Sequence, residues 1–190
     1  MNTADKIIAL VDEMRENSQV QRFWKNVPLA KECIRLLHDL DDPEEDSQGK
    51  AMVCNAICEQ LPEYDMPRFV LDILHYKREL LVKGCGDPEA LEAVDFDIQR
   101  LNDYIDIRHV DAREFQKRYD RMLDFDPVER TPEWEKLYCE VEEECDRRLG
   151  DAPRGMGFCF GYWSIRREVL AKHGIQWQSP AAMNPHVMFD

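Results

Sequence analysis

Three times in this sequence a residue able to cap a helix is followed at once by proline and glutamate: Asp42-Pro43-Glu44, Asp87-Pro88-Glu89 and Thr131-Pro132-Glu133. The order has a physical reason at each place. The side-chain oxygen of Asp or Thr accepts a hydrogen bond from one of the orphan amides of a first turn, proline brings no amide that would need a partner, and glutamate faces the positive end of the helix dipole. Glu45, three residues after Asp42, adds a capping-box partner. A chain punctuated in this way is built to start helices, and the pattern between the starts agrees.

After Asp87, the residues Leu91, Val94, Ile98, Leu101 and Ile105 recur at steps of three and four, which leaves Asp95, Asp97 and Asp103 off the apolar seam. After Thr131, the set Trp134, Leu137, Tyr138, Val141, Cys145 and Leu149 forms a second stripe ended by Gly150, with Glu143 to Arg147 and Glu144 to Arg148 as i,i+4 pairs. Shorter stripes run through Ile7, Leu10, Val11 and Met14, through Leu29, Cys33, Leu36, Leu37 and Leu40, and through Val53, Ala56, Ile57 and Leu61. Two more run through Val70, Ile73, Leu74, Leu80 and Leu81 and through Ala112, Phe115, Tyr119 and Met122. No segment alternates with the period of a strand. The pattern predicts an all-α protein: a single-domain antiparallel helical bundle or short helical array of about seven or eight helices spanning residues 1–190, with an irregular C-terminal tail docked on the body.

Residues 151–190 are compositionally distinct. They hold three acids and four bases, a net +1, whereas residues 1–150 account for -15 of the chain's total of -14. Glycines at 155, 157, 161 and 174 alternate with Phe158, Phe160, Tyr162, Trp163, Trp177 and Phe189. A glycine-rich loop, a helix from about Tyr162 to His173 capped by Gly174, and a tail after it are expected. The tail should dock because Trp177, Met183, Val187, Met188 and Phe189 forgo about 1.5 to 3 kcal/mol per large side chain if left in water.

Acids outnumber bases 39 to 25. A surface of that sign repels phosphate backbones, which argues against direct nucleic-acid binding, and it attracts a basic protein surface. Seven cysteines, several of them at apolar positions of helical stripes, fit free thiols in a reducing cytoplasm. The acid-bearing start carries no unbroken apolar stretch of the secretory kind, and nowhere is there an apolar run of membrane-spanning length.

The chemical motifs are sparse. Asp72-Ile73-Leu74-His75 and Asp106-Ile107-Arg108-His109 set a carboxylate and an imidazole on one helical face, but two antiparallel helices leaving the Gly84–Gly86 turn would separate the pairs by roughly 15 Å along the axis. Cys54 and Cys58 lack a second ligand pair for zinc, Cys159 lacks an assigned base, and the acids from Asp39 to Asp46 lack the order of a calcium loop. No metal and no cofactor are expected. The remaining candidate is a ligand or anion site at the glycine and aromatic segment: Arg154, Gly155, Gly157, Trp163, Arg166 and Arg167. It departs from a phosphate loop in spacing and has no strand before it. Two functional classes follow: an acidic helical adaptor, inhibitor or immunity-like binder of a basic protein partner, and, as the alternative, an enzyme or small-ligand binder using that C-terminal segment. A mimic of nucleic-acid charge would use the same acidity in a third way.

Overall fold

A computed structural model of the chain describes residues 2–40, 47–84, 87–121, 123–151 and 154–189. Among the described residues there are nine α-helices and no strand, so the all-α expectation holds. The helix start at Asp42 lies outside the described residues. The chain divides into two compact units, residues 1–102 and 103–190.

The first unit begins with α1 (Thr3–Gln19) and α2 (Asn26–Asp39), joined through the short 3-10 turn Phe23–Lys25. Lys6 meets Glu32, the Cys33 thiol reaches the Ile7 carbonyl, and Asn26 reaches that of Met14. From residues 6 and 7 on α1 to residue 14 the partners on α2 pass from 32 and 33 back to 26, which is an antiparallel hairpin. The next pair, α3 (Ser47–Cys58) and α4 (Pro67–Lys83), is built the same way: Ser47 lies beside Gly84 and Asn55 beside Lys77. A Cβ on Gly84 would stand 3.2 Å from the Ser47 Cβ, so glycine lets the start of α3 close on the end of α4. Ile7, Val11, Met14, Val27, Cys33, Leu37, Ala51, Cys54, Ile57, Val70, Ile73 and Leu74 supply the interior. In α3 the buried set is Ser47, Ala51, Cys54 and Ile57, displaced from the expected Val53, Ala56, Ile57 stripe. Helix α5 (Pro88–Ile105) follows, its first turn accepted by Asp87, whose Oδ1 is 3.1 Å from the Glu89 amide.

Asn26, fully buried, is this unit's polar knot. Its Nδ2 lies 3.0 Å from the Met14 carbonyl and 2.8 Å from that of Gln60, closing the end of α1 against the segment after α3. Arg78 pairs with Asp95 on the surface, and the half-buried Arg100 pairs with both Glu63 and Asp97.

The second unit holds α6 (Ala112–Arg118), a 3-10 turn Pro127–Arg130, α7 (Pro132–Leu149), α8 (Phe158–Lys172) and the single turn α9 (Pro180–Met183). Thr131 Oγ1 accepts from the Trp134 amide at 3.3 Å, and Gly150 at φ 53° ends α7. Arg147 and Arg148 both pair with Glu144. Arg148 with Glu168 and Glu142 with Arg166 tie α7 to α8, and Glu140 meets His173 just past the end of α8. Between them lies a core of Trp134, Val141, Cys145, Val169, Leu170, Ile175 and Trp177.

Three expectations need correction here. Helix α8 starts at Phe158, four residues before the expected Tyr162, because Gly157 at φ 80° turns the chain sharply enough for Gly161 to lie inside the helix. Asp103, although off the apolar seam, is buried and not solvated: its carboxylate takes hydrogen bonds from Arg118 and from the Tyr119 hydroxyl. The tail is not irregular throughout, since Ser179 caps α9 and Pro180 opens it. It does dock: Ile175, Trp177 and Asn184 are buried, although Met188 stays 92% exposed.

Candidate functional site

The C-terminal candidates divide into an inward and an outward set. Arg166 points inward. Its guanidinium lies 4.7 Å from the Trp134 ring centre, 5.5 Å from that of Trp177 and 5.7 Å from that of Tyr162, and Nε is 3.2 Å from the Glu142 carboxylate. The Tyr162 hydroxyl donates to the same carboxylate at 2.7 Å. A planar cation stacks well on aromatic faces, and one carboxylate balances its charge, so the cluster is closed by the chain's own groups. Arg154 pairs with Asp146 at 3.3 Å and lies over the Phe158 ring. Gly155 is exposed, Gly157 sets the turn into α8, and Arg167 is exposed on the next helical face from Arg166. Trp163 is half-buried, edge-on to Phe160 on one side and to Phe189 on the other, at 5.6 and 5.2 Å. The structure thus gathers aromatic rings around Arg166 and Trp163, with Arg154 engaged by Asp146.

The metal candidates are placed apart. Asp72 and His75 are both exposed on α4. Asp106 lies just past the end of α5 and binds the His109 Nδ1 at 2.9 Å, so this pair sits on a turn and not on a helical face. Cys54 is buried and Cys58 half-buried, and burial pushes both thiols up to about 12, which keeps them protonated. The six described cysteines are free thiols. Among the described residues no three His, Cys, Asp or Glu side chains gather in one place, and no helix is long and apolar enough to cross a membrane.

A site that the sequence reading passed over lies in the first unit, in a depression of about 200 Å³ between α1 and α3. Ile7 and Val11 form part of its buried floor, Val53 and Ala56 its half-buried wall, and the Asp12–Arg15 ion pair its rim. Two apolar side chains stand out at its edge, Ile8 at 60% exposure and Met52 at 72%. The rest of the exposed face of α1 is acidic, with Asp5, Asp12, Glu13 and Glu16 against Arg15. Met52 also lines a second, larger hollow of about 490 Å³ with Ala51, Leu81 and Ala90, beside which Lys77 donates to Asn55 at 2.8 Å. Ile8 was legible: it lies one helical step off the Ile7, Val11, Met14 stripe, where a surface helix ordinarily carries a polar residue. Met52 was hidden by the displaced reading of α3. No family model, curated protein or solved structure matches this chain.

Proposed function

We propose that this chain acts by binding a basic protein partner, with the depression between α1 and α3 as its docking surface. The observation that carries the reading is the pairing of exposed apolar side chains, Ile8 and Met52, with the acidic outer face of α1. An amphipathic partner segment would insert apolar anchors between these two side chains and lay basic residues over Asp5, Asp12 and Glu16. Methionine suits such a contact because its unbranched, polarisable side chain adapts to the shape it meets. The overall charge of -14 would add long-range steering, and its reach shrinks with ionic strength.

The reading supports an adaptor or inhibitor more than an enzyme, since the one inward-facing cation of the C-terminal candidates, Arg166, is engaged by Glu142 and three aromatic rings. Capture of partners from native cells at low and at high salt, with the captured proteins identified, is the test. The reading expects a basic protein whose association slows as salt is added. Capture of an acidic or neutral protein with no salt dependence would overturn it.

A further inference from the structure

We infer that the trough between α3, α4 and the start of α5 binds a short apolar peptide by its two ends, the terminal carboxylate on Lys77 and the terminal ammonium on Asp87. This site goes beyond the docking surface proposed above, with which it shares Met52. Its volume of about 490 Å³ falls within the range of small-ligand sites. The floor is apolar, since Ala51 and Leu81 are buried there, and the short side chains of Ala51 and Ala90 leave room above it.

Two opposite charges line this trough without meeting. The Lys77 ammonium donates to Asn55 Oδ1 at 2.8 Å, and Asp87 Oδ1 accepts from the Glu89 amide at 3.1 Å. Among the described residues neither has an ion-pair partner, although acids outnumber bases 39 to 25 and Lys77 is half-buried. An ammonium carries three donors and a carboxylate several acceptor sites, so each keeps capacity for an ion of the other sign. A ligand with one charge alone would satisfy one edge of the trough and be repelled by the other. A zwitterion with an apolar body suits both, and capture of peptide termini is a known mode of recognition.

The spacing of the charges sets the length of the occupant. Lys77 is held at Asn55, whereas Asp87 lies three residues past Gly84, where an added Cβ would stand 3.6 Å from the Gln48 amide nitrogen. Gln48 and Asn55 are seven residues apart on α3, about 10 Å along its axis. An extended chain covers about 3.3 to 3.6 Å per residue, so a tripeptide spans the two charges. A single amino acid falls short of one of them, and an extended chain of five residues overshoots.

Calorimetric titration of the full chain with Ala-Leu-Ala, and with the same tripeptide N-acetylated or C-amidated, tests this. Saturable binding of the free tripeptide is expected, and each blocked end should weaken it by about threefold or more. Amidation is the sharper arm, because it makes the peptide more positive and the chain's net charge of -14 would by itself favour that form. Lys77→Met keeps the aliphatic stem and should abolish the cost of amidation alone. Asp87→Asn still caps α5 and should abolish the cost of acetylation alone, with helix content unchanged in both variants. Absence of saturable binding overturns the inference. So do end-blocked tripeptides that bind as tightly as the free one, or a cost of amidation that persists in Lys77→Met.

Discussion

The two units are both helical, yet they are held together differently. In the first, long stripes of aliphatic residues on α1 to α4 meet face to face, and among the described residues the buried polar ones are Asn26 and Ser47. In the second, helices are interrupted by irregular chain, and buried polar side chains tie the interruptions down. Arg130, 2% exposed, donates to the carbonyls of Asp103, Tyr104 and Val110, so one side chain satisfies the frayed end of α5 and the turn beyond it. Asn184 accepts from the Asp124 amide and donates to the Asp124 carbonyl, each at 2.8 Å, as a strand neighbour would. Glu129 takes the Trp177 indole and Asp126 the Gln178 amide, both at 2.8 Å. Helices satisfy their own backbone and need only an apolar face. Irregular chain must find its partners among side chains, and so becomes dependent on single residues.

That difference predicts where one substitution does most harm. Trp177→Ala should cost the second unit about 3 to 5 kcal/mol, because it empties the centre of the α7–α8 core and removes the indole N–H that Glu129 accepts. Ile57→Val, at an equally buried site of the first unit, should cost about 0.5 to 1.5 kcal/mol. Chemical denaturation of both variants, followed by helix signal, compares them. Equal losses would break the contrast.

Arg130→Met should come next, at about 3 kcal/mol, since three buried carbonyls lose their donor and each such loss costs about 1 to 3 kcal/mol with partial relaxation. Asn26→Ala, the corresponding change in the first unit, should cost about 1 to 3 kcal/mol, because it takes a buried donor from the Gln60 carbonyl and from that of Met14, which keeps the Ser18 hydroxyl. Amide exchange after Arg130→Met should rise most at Val110 and through α6. Exchange rising instead in α1 and α2 would contradict the assignment of this knot to the second unit.

At the surface the units should behave alike. Hydrogen bonds from Arg35 and Lys6 pull Glu32 from 4.5 down to about 2, and those from Arg147 and Arg148 do the same to Glu144. Each carboxylate is more acidic folded than unfolded. Its contribution is therefore complete above about pH 4.5 and drains away as the pH falls toward 2. Both pairs are solvent-exposed, so the effect is small. Glu32→Gln and Glu144→Gln should each lower the neutral plateau of a stability profile slightly and leave stability near pH 2 unchanged, so that the acid limb flattens, and a plateau lowered with the acid limb as steep as before would show that the carboxylates act through something other than their pairing.

How much of this the sequence discloses follows the same division. The caps at Asp87 and Thr131 and the stripe of α7 repeat with a period, and a period survives in one dimension. Arg130, Asn26 and Asn184 have no period, and each looks like an ordinary surface residue until the chain folds around it. Asp103 misled for that reason: it lies off the α5 seam, but Arg118 and Tyr119 arrive from outside the helix to cover it. The C-terminal candidates were legible as an unusual composition. Which of them turn inward is set by the partners that α7 brings, Glu142 and Trp134 around Arg166, and these lie outside the stretch whose composition stands out.

The most direct test of the functional account uses the doubly substituted chain Ile8→Glu, Met52→Glu. Both side chains are mostly exposed, so the account predicts a folding stability within about 0.5 kcal/mol of the parent, together with loss of the basic partner captured at low salt. Retention of that partner by the folded double variant would contradict the claim that the depression between α1 and α3 is where this protein does its work.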